Sequence, residues 1–426
     1  METAGLNEEA AEYYYQSLLK NPDYIESRQG LYRTGEQVLN NEISSFFQHY
    51  QLGQKKEAVY SFRRAIAFKY KLETVAVKLS ISPQYIADFE EVKAAYLTEQ
   101  YEIGLGYMDE EKYAAAEAIF KEISNLEPNY KDSKNLERIA YVEPLYQKGK
   151  EALEQNRFRT AYYAFDDVAA VDSEYKDAKG LRSESLENGL VTMGIISFEN
   201  GTAISNANKK LEAFVLTGLS KTGDPFLKII DRTSYDQLIE EQKLNLSGVV
   251  DESTAAEAGH LLGVKFILGG TLLQLSKETG KLNRYKKTGF KEIRIKKHNE
   301  ETGEDYYVTN YKKVYYYEYR QQNRAYISAQ IKIMSLTTGE ILVSEIISKE
   351  SIDDIHYYKY DGNGSKLYPS IDGKVNKDYT HKKQMEEYLG SRKAIRSADV
   401  LADNSFRALA GTIKTNVENF SYQYVK

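Results

Sequence analysis

Four charged residues, Asp231, Arg232, Glu240 and Glu241, gather where a strand gives way to a short helix, a position at which α/β domains often bind ligands. Paired carboxylates there could move protons, with the arginine orienting an anionic group. The same residues serve equally well as the solvated face of a short helix. No nucleophile elbow, Walker motif or metalloprotease helix accompanies them. Asp361-Gly-Asn-Gly-Ser365 opens like a calcium loop, but Lys366 stands at the sixth position where such a loop needs Gly, so a polar turn is expected. Gly104-Leu-Gly106 lies inside a helical pattern and is not a phosphate loop. The five histidines are scattered without ligand spacing, and the chain has no cysteine, which removes disulfides, thiol nucleophiles and cysteine zinc sites. The expectation is a protein that is not an enzyme and has no cofactor or metal.

Recognition chemistry is richer. Between Lys281 and Tyr326 stand twelve Lys/Arg, six Asp/Glu and nine Tyr, in a chain whose formal charge is -6. Tyr offers broad apolar contact with a polar tip. On a strand, Tyr315, Tyr317 and Tyr319 would share one face, which Tyr311 and Lys313 extend. The candidate interaction residues are therefore Tyr311, Tyr315, Tyr317, Tyr319, Lys287, Lys291 and Arg294. A charged arm that pairs with a partner protein or with further copies of the chain is the simplest use. Anionic glycan or cell-wall contact and membrane insertion stay open. A nucleic-acid partner is not expected, because a short basic excursion in an acidic chain is weaker support than a basic domain.

The elements that must carry this segment fall into two halves. In the first, Gly104, Tyr113, Ala116, Phe120 and Ile123 recur 45 residues later as Gly149, Phe158, Ala161, Phe165 and Val168. Each set has helical spacing, so one helix face can pack closely on its neighbour. Ala58, Phe62, Ala65 and Ile66 form a weaker earlier copy, and Ala11, Tyr14 and Leu18 another. This pattern resembles tetratricopeptide repeats, although their usual period is about 34 residues. The resemblance implies stacked helices over residues 1–188 with a concave face for a partner.

From Leu190 the pattern changes. Strands are expected at 191–198, 226–230, 266–275, 327–334 and 341–347, with helices at 205–219, 235–243 and 253–262. Ser205 is the expected cap of the first of these helices. Residues 276–326 form a long β-hairpin insertion, 351–390 show no period, and a closing helix spans 394–419. The fold class is thus an α-helical, TPR-like repeat domain followed by an α/β domain over 189–426.

Four stretches carry a more specific likeness: Ile195 to Asn200, Asp231 to Gln242, Leu262 to Thr271, and the turn Ser335-Leu-Thr-Thr-Gly-Glu-Ile-Leu342. Their order and spacing resemble the CsgG family, the curli secretion channel lipoproteins and their relatives, over roughly 190–420. The resemblance implies a periplasmic α/β domain, an N-terminal lipid on a cysteine, ring oligomers in the outer membrane, and two hairpins per subunit that build a β-barrel. Residues 1–9 show no export signal, no cysteine is present, and no apolar run is long enough for a membrane helix.

In the position of the first membrane hairpin, alternate residues of 285–297 put Lys or Arg on both faces. A midplane Lys or Arg costs about 2 to 4 kcal/mol each on a lipid-facing barrel strand. The expected function is therefore a cell-envelope assembly or scaffold protein related to curli-type secretion components, binding partners through its repeats. The alternative is a ring-forming secretion channel subunit. Either would act on the periplasmic side of the outer membrane, lipid-anchored or not, with the cytoplasm left open.

Overall fold

Small residues opposite aromatic rings build the first half of the chain. The structure, a computed structural model, describes residues 6–230 and 263–426. Two compact units divide it: residues 1–155 with 161–182, and residues 156–160 with 183–426. The first unit is all helix, with α1 (Asn7–Lys20), α2 (Ile25–Gln51), α3 (Lys55–Glu73), α4 (Pro83–Asp109), α5 (Tyr113–Leu126), α6 (Ser133–Glu154), most of α7 (Phe158–Val171) and the start of α8 (Ala178–Gly189).

The 45-residue recurrence is visible atom by atom. A Cβ built on Gly104 would meet the Phe120 ring at 2.8 Å, and one on Gly149 would meet Phe165 at 2.7 Å. Both rings are wholly buried, as is Phe62 of the earlier copy. Tyr101 donates to Asp132 and Tyr146 to Asp177, each at 2.6 Å. Lys131 stands 3.9 Å over the Tyr101 ring and Lys176 4.7 Å over Tyr146. Each of these lysines is in the left-handed region, at φ 45° and 46°. One local solution is therefore used twice.

The second unit is built on a mixed sheet. Its strands are β1 (Val191–Ile195), β2 (Glu199–Asn200), β3 (Leu227–Ile230), β4 (Phe266–Thr279), β5 (Asn283–His298), β6 (Asp305–Ser335), β7 (Ile341–Lys359), β8 (Leu367–Ile371) and β9 (Lys374–Val375). Strand β1 runs parallel to β3 and β4, while β6 is antiparallel to β4, β5 and β7. Helices α9 (Ala207–Leu219), α10 (Tyr379–Gly390) and α11 (Ala398–Tyr424) pack on this sheet.

Register explains the arm. Strand β4 pairs with residues 323–335 of β6 and β5 with residues 305–320, so β5 continues the line of β4 after a short break. Strand β7 takes the other edge of β6 over 317–334. The result is a three-stranded ribbon around a 31-residue strand, which spans roughly 100 Å at about 3.3 Å per residue. Gly280 makes the break. A Cβ there would lie 2.2 Å from the carbonyl oxygen of Gln322, so only glycine fits against the backbone. Its N–H donates to that carbonyl at 3.0 Å and to Asn323 Oδ1 at 3.1 Å.

Several expectations are corrected. Residues 351–390 are not irregular: they hold the end of β7, a 3-10 turn, β8, β9 and α10. These elements are short and pack on the ribbon as well as on one another, which leaves no long periodic run to read. Helix α9 begins after Asn206, a left-handed residue, and not at Ser205. The closing helix is Ala398–Tyr424, capped by Ser397 Oγ accepting from the Val400 N–H at 3.3 Å. The helices expected at 235–243 and 253–262, and the cluster at Asp231, Arg232, Glu240 and Glu241, lie outside the described residues.

Two glycines of α4 give a matched test. Gly104→Ala drives a methyl into the buried Phe120 ring and is expected to cost about 1 to 3 kcal/mol. Gly106 has nothing within 4 Å of its would-be Cβ, so Gly106→Ala should stabilise by about 0.4 to 1 kcal/mol through the unfolded chain. Urea titration of both variants, followed by circular dichroism at the helix band, reads the opposite signs.

Candidate functional site

Alternation along β6 places the candidate interaction residues on two different faces. Tyr311, Tyr315, Tyr317 and Tyr319 are all odd-numbered and share one face. Directly opposite partners on adjacent strands lie on the same face, so Arg294, which pairs with Thr309, joins them. Lys287 pairs with Tyr316 and Lys291 with Lys312, so these two lysines lie on the opposite face. The seven residues do not form one site.

The tyrosine face is ordered by stacked cations. The Arg284 guanidinium lies 4.0 Å from the Tyr317 ring centre, and the Lys286 ammonium 4.0 Å from that of Tyr315. Tyr319 stacks on Tyr357 of β7 at 4.8 Å. Tyr311 meets Tyr368 of β8 edge-on at 5.1 Å, with Lys377 4.6 Å over its ring. Tyr315 is half exposed, at 52 %.

The opposite face is covered. Tyr316, Leu367 of β8 and Met385 of α10 form a small core, with Val314, Tyr358, Tyr360 and Leu389 against it. Within it sits Glu318, 3 % exposed. It accepts from His356 Nε2 at 2.7 Å and from Arg320 Nε at 2.6 Å, and pairs with Lys287 at 3.1 Å. Burial alone would push this carboxyl up, but the hydrogen bonds from Lys287, Arg320 and His356 outweigh it and hold Glu318 below the usual carboxylate range. The His356 ring packs 4.0 Å from Tyr388 of α10. Lys287 thus belongs to a structural ion-pair network and is not a free interaction residue. The network is not legible in the tyrosine pattern, because it depends on the pairing of β5 and β7 with the even residues of β6. The even set Val314, Tyr316, Glu318 was the available signal, together with Asp378, whose carboxylate caps α10 by accepting from the His381 N–H at 3.1 Å.

A second anchor holds the start of α11. Asp353 accepts from Arg392 at 2.6 and 3.0 Å and from the Arg396 N–H at 2.8 Å. These hydrogen bonds, Arg392's first, bring its carboxyl down to about 2. Asn323, 2 % exposed, donates to the Arg396 carbonyl at 2.7 Å while accepting from Gly280. The break in the ribbon and the segment entering α11 are thereby tied through one side chain.

The described residues hold no cluster of His, Cys, Asp and Glu arranged for a metal ion. No helix among them is long and apolar enough to cross a membrane. What is assembled is a long two-faced ribbon, one face packed under a helix and one face bearing exposed tyrosines and cations. Residues 178–357 of this chain match the family model described as curli production assembly/transport component CsgG.

That segment is a CsgG-family domain. The match runs from α8 to within two residues of the end of β7, so it takes in the whole hairpin. It ends before β8, which extends the sheet beside β5, and before α10, which covers the Glu318 face. No curated protein matches the chain. Among solved structures, the PelC dodecamer from Paraburkholderia phytofirmans aligns at 8 % identity over 52 % of this chain and 87 % of that one, with a TM-score of 0.22. The protein CT253 from Chlamydia trachomatis aligns at 8 % over 53 % and 96 %, TM-score 0.22. Lipoprotein GNA1162 from Neisseria meningitidis aligns at 9 % over 38 % and 82 %, TM-score 0.21. Scores this low leave the family statement resting on the sequence match.

The network makes a pH prediction for the CsgG-family domain. Asp353 has a folded pKa below its unfolded value of 3.8. Its contribution is therefore complete above about 4 and is lost as pH falls through about 2, and Glu318, also lowered, acts in the same direction. Asp353→Asn is expected to reduce stability at pH 7 and to flatten the acid limb between about pH 4 and 2. Urea titrations at several pH values, with hydrogen exchange in β7 as the local readout, would show this; an unchanged acid limb would contradict it.

Proposed function

We propose that this protein is a non-enzymatic scaffold or assembly component of a cell-envelope secretion system of the curli kind. Its helical repeats, of the tetratricopeptide type, dock a partner protein, and its CsgG-family domain associates with further copies or with the secretion apparatus. Placement on the periplasmic side of the outer membrane, with a lipid anchor, belongs to the same reading.

The observation that carries it, against a channel subunit, is the covered face of the hairpin. A strand in a transmembrane barrel gives one face to lipid over about 9 to 11 residues. Here the Glu318 face is packed under α10, with Leu367 of the neighbouring strand β8 beside Tyr316, and Glu318 is fixed by three basic partners. The other face presents Arg284, Lys286 and Lys313 among the tyrosines. Insertion would require stripping α10 away and burying charges on both faces, so the hairpin is read as an arm outside the bilayer core. The channel reading keeps one support: the family match spans the whole hairpin.

The measurement that separates the two is the behaviour of the full chain with and without detergent. A particle that stays dispersed without detergent and leaves planar bilayers non-conducting is expected. A ring that needs detergent and conducts ions would sink the arm reading. For the repeats, pull-down of a protein partner by the full chain should be lost when Gly104→Ala and Gly149→Ala are combined. Capture that survives in a variant whose helical unit has melted would take partner binding away from the repeats.

A further inference from the structure

The tyrosine face of the hairpin is open around Tyr315, between the contacts of Lys377 on Tyr311 and of Tyr357 on Tyr319, and its charge is one-sided. Arg284, Lys286, Arg294 and Lys313 are all exposed there. Two acids share that face. Glu292 accepts from the Tyr368 hydroxyl at 2.9 Å, and Lys382 donates to that same hydroxyl at 3.1 Å. Asp305 pairs with Lys296 at 2.6 Å and with His298 at 2.9 Å, and the hydrogen bonds from Lys296 and then His298 hold its carboxyl below the usual range. Four exposed cations against these two acids leave the face net positive.

Shape narrows the choice. The face spans β8, β5 and β6 at residues 312–314 and β5, β6 and β7 at 317–319, on the order of 10 Å across at about 4.8 Å per strand. It is a plane rather than a groove, whereas a single polymer chain is gripped best in a groove. The tyrosine rings carry cations on one side, as Arg284 does on Tyr317 and Lys286 on Tyr315, each at 4.0 Å. That side is closed to a stacking base or sugar. Half-buried tyrosines with hydroxyl tips, interleaved with long cationic side chains, are the residue types that settle at the level of lipid headgroups.

We propose that this face lies flat on an anionic bilayer surface, with Arg284, Lys286 and Lys313 on lipid phosphates and Tyr315 and Tyr317 at headgroup depth. The hairpin does not cross the bilayer. This rests on the arm reading, in that α10 stays packed on the opposite face and the ribbon meets the membrane from one side only. The attraction is electrostatic and acts within a Debye length, so it is reversible by salt.

Flotation of the full chain with vesicles tests it. Vesicles of phosphatidylcholine alone should leave the protein at the bottom, and vesicles containing phosphatidylglycerol should carry it up at about 0.1 M salt and release it at about 0.5 M. Combining Arg284→Glu, Lys286→Glu and Lys313→Glu should lower the bound fraction about tenfold or more. Lys291→Glu with Lys312→Glu, on the covered side, should change it by about twofold or less. Circular dichroism verifies folding, and the milder Gln substitutions at the same three positions give the readout if the Glu variant does not fold. Equal losses from the two sets of substitutions would overturn the proposal. So would retention on a soluble polyanion resin without flotation, which would assign the face to a polymer. A folded chain that floats with neither vesicle overturns this proposal and leaves the arm reading standing. Binding that survives high salt and alkaline carbonate means insertion, and overturns both.

Discussion

Side chains along a strand alternate between two faces, and strand β6 has 31 residues over which to obey that rule. Its inner half buries the odd set Asn323, Ala325, Ile327, Ala329, Ile331 and Ile333, and its outer half buries the even set Tyr316 and Glu318. No single helix can satisfy both. Helix α11 covers the inner face, where Leu401 and Ala402 pack on Ala325. Helix α10 covers the other face further out, with Met385 on Tyr316 and Leu367. The exchange of faces falls at residues 320–322, opposite the Gly280 break. Asn323 accepts there from the Gly280 N–H, which it shares with the Gln322 carbonyl, and donates to the Arg396 carbonyl.

That exchange explains why polar residues are buried in the arm. Where the ribbon leaves the main sheet, α10 is a short helix and supplies few apolar side chains, Met385 and Leu389 foremost. Polar groups complete the packing, and each then needs partners. Glu318 has three basic ones, and the rings of Tyr316, Tyr358 and Tyr388 crowd together, with Tyr316 and Tyr358 5.0 Å apart and Tyr358 and Tyr388 4.9 Å apart. A network of this kind gains less from each contact than an apolar core would, but it fixes register. A one-residue slip of β5 would turn Lys287 to the other face and leave Glu318 short of a partner. At the other end of the domain, Arg159 plays a comparable part: it forms a two-pronged pair with Asp224 at 2.7 and 2.9 Å, both side chains nearly wholly buried, and donates to the Val425 carbonyl at 3.2 Å.

Legibility in the sequence followed the range of the interactions. The helical recurrence was readable because Gly104 with Phe120 and Gly149 with Phe165 are local pairs, sixteen residues apart, written twice. The ribbon was readable as a hairpin because the Tyr- and Lys-rich segment lies between two clear strand patterns, 266–275 and 327–334. Residues 351–390 were not, because α10 owes its place to Tyr316 and Leu367 rather than to a strong stripe of its own. The split of Lys287 and Lys291 from the tyrosines was missed for a related reason. It depends on which residue of β5 stands opposite which residue of β6, and that register is set by the turn at 299–304 and the break at Gly280, not by composition. The cap of α9 was misplaced by one residue because Asn206 takes a left-handed conformation that Ser205 would adopt only at a cost.

Register and charge together decide what the hairpin can be. The face that holds Val314 and Tyr316 also holds Lys287, Lys291, Lys312 and Glu318, so its apolar stretch is interrupted at almost every second position. Near the tip, where Ile295 stands opposite Val308, the face carries an apolar pair without such charges, and both of those side chains are exposed. A barrel strand needs its apolar band in the middle of its length, between two polar ends. Here the order is reversed, with charge in the middle and apolar residues at the end. Such a ribbon is stable in water when its central charges find partners and a helix lies over them, and that is the arrangement made by Glu318, Lys287, Arg320 and α10.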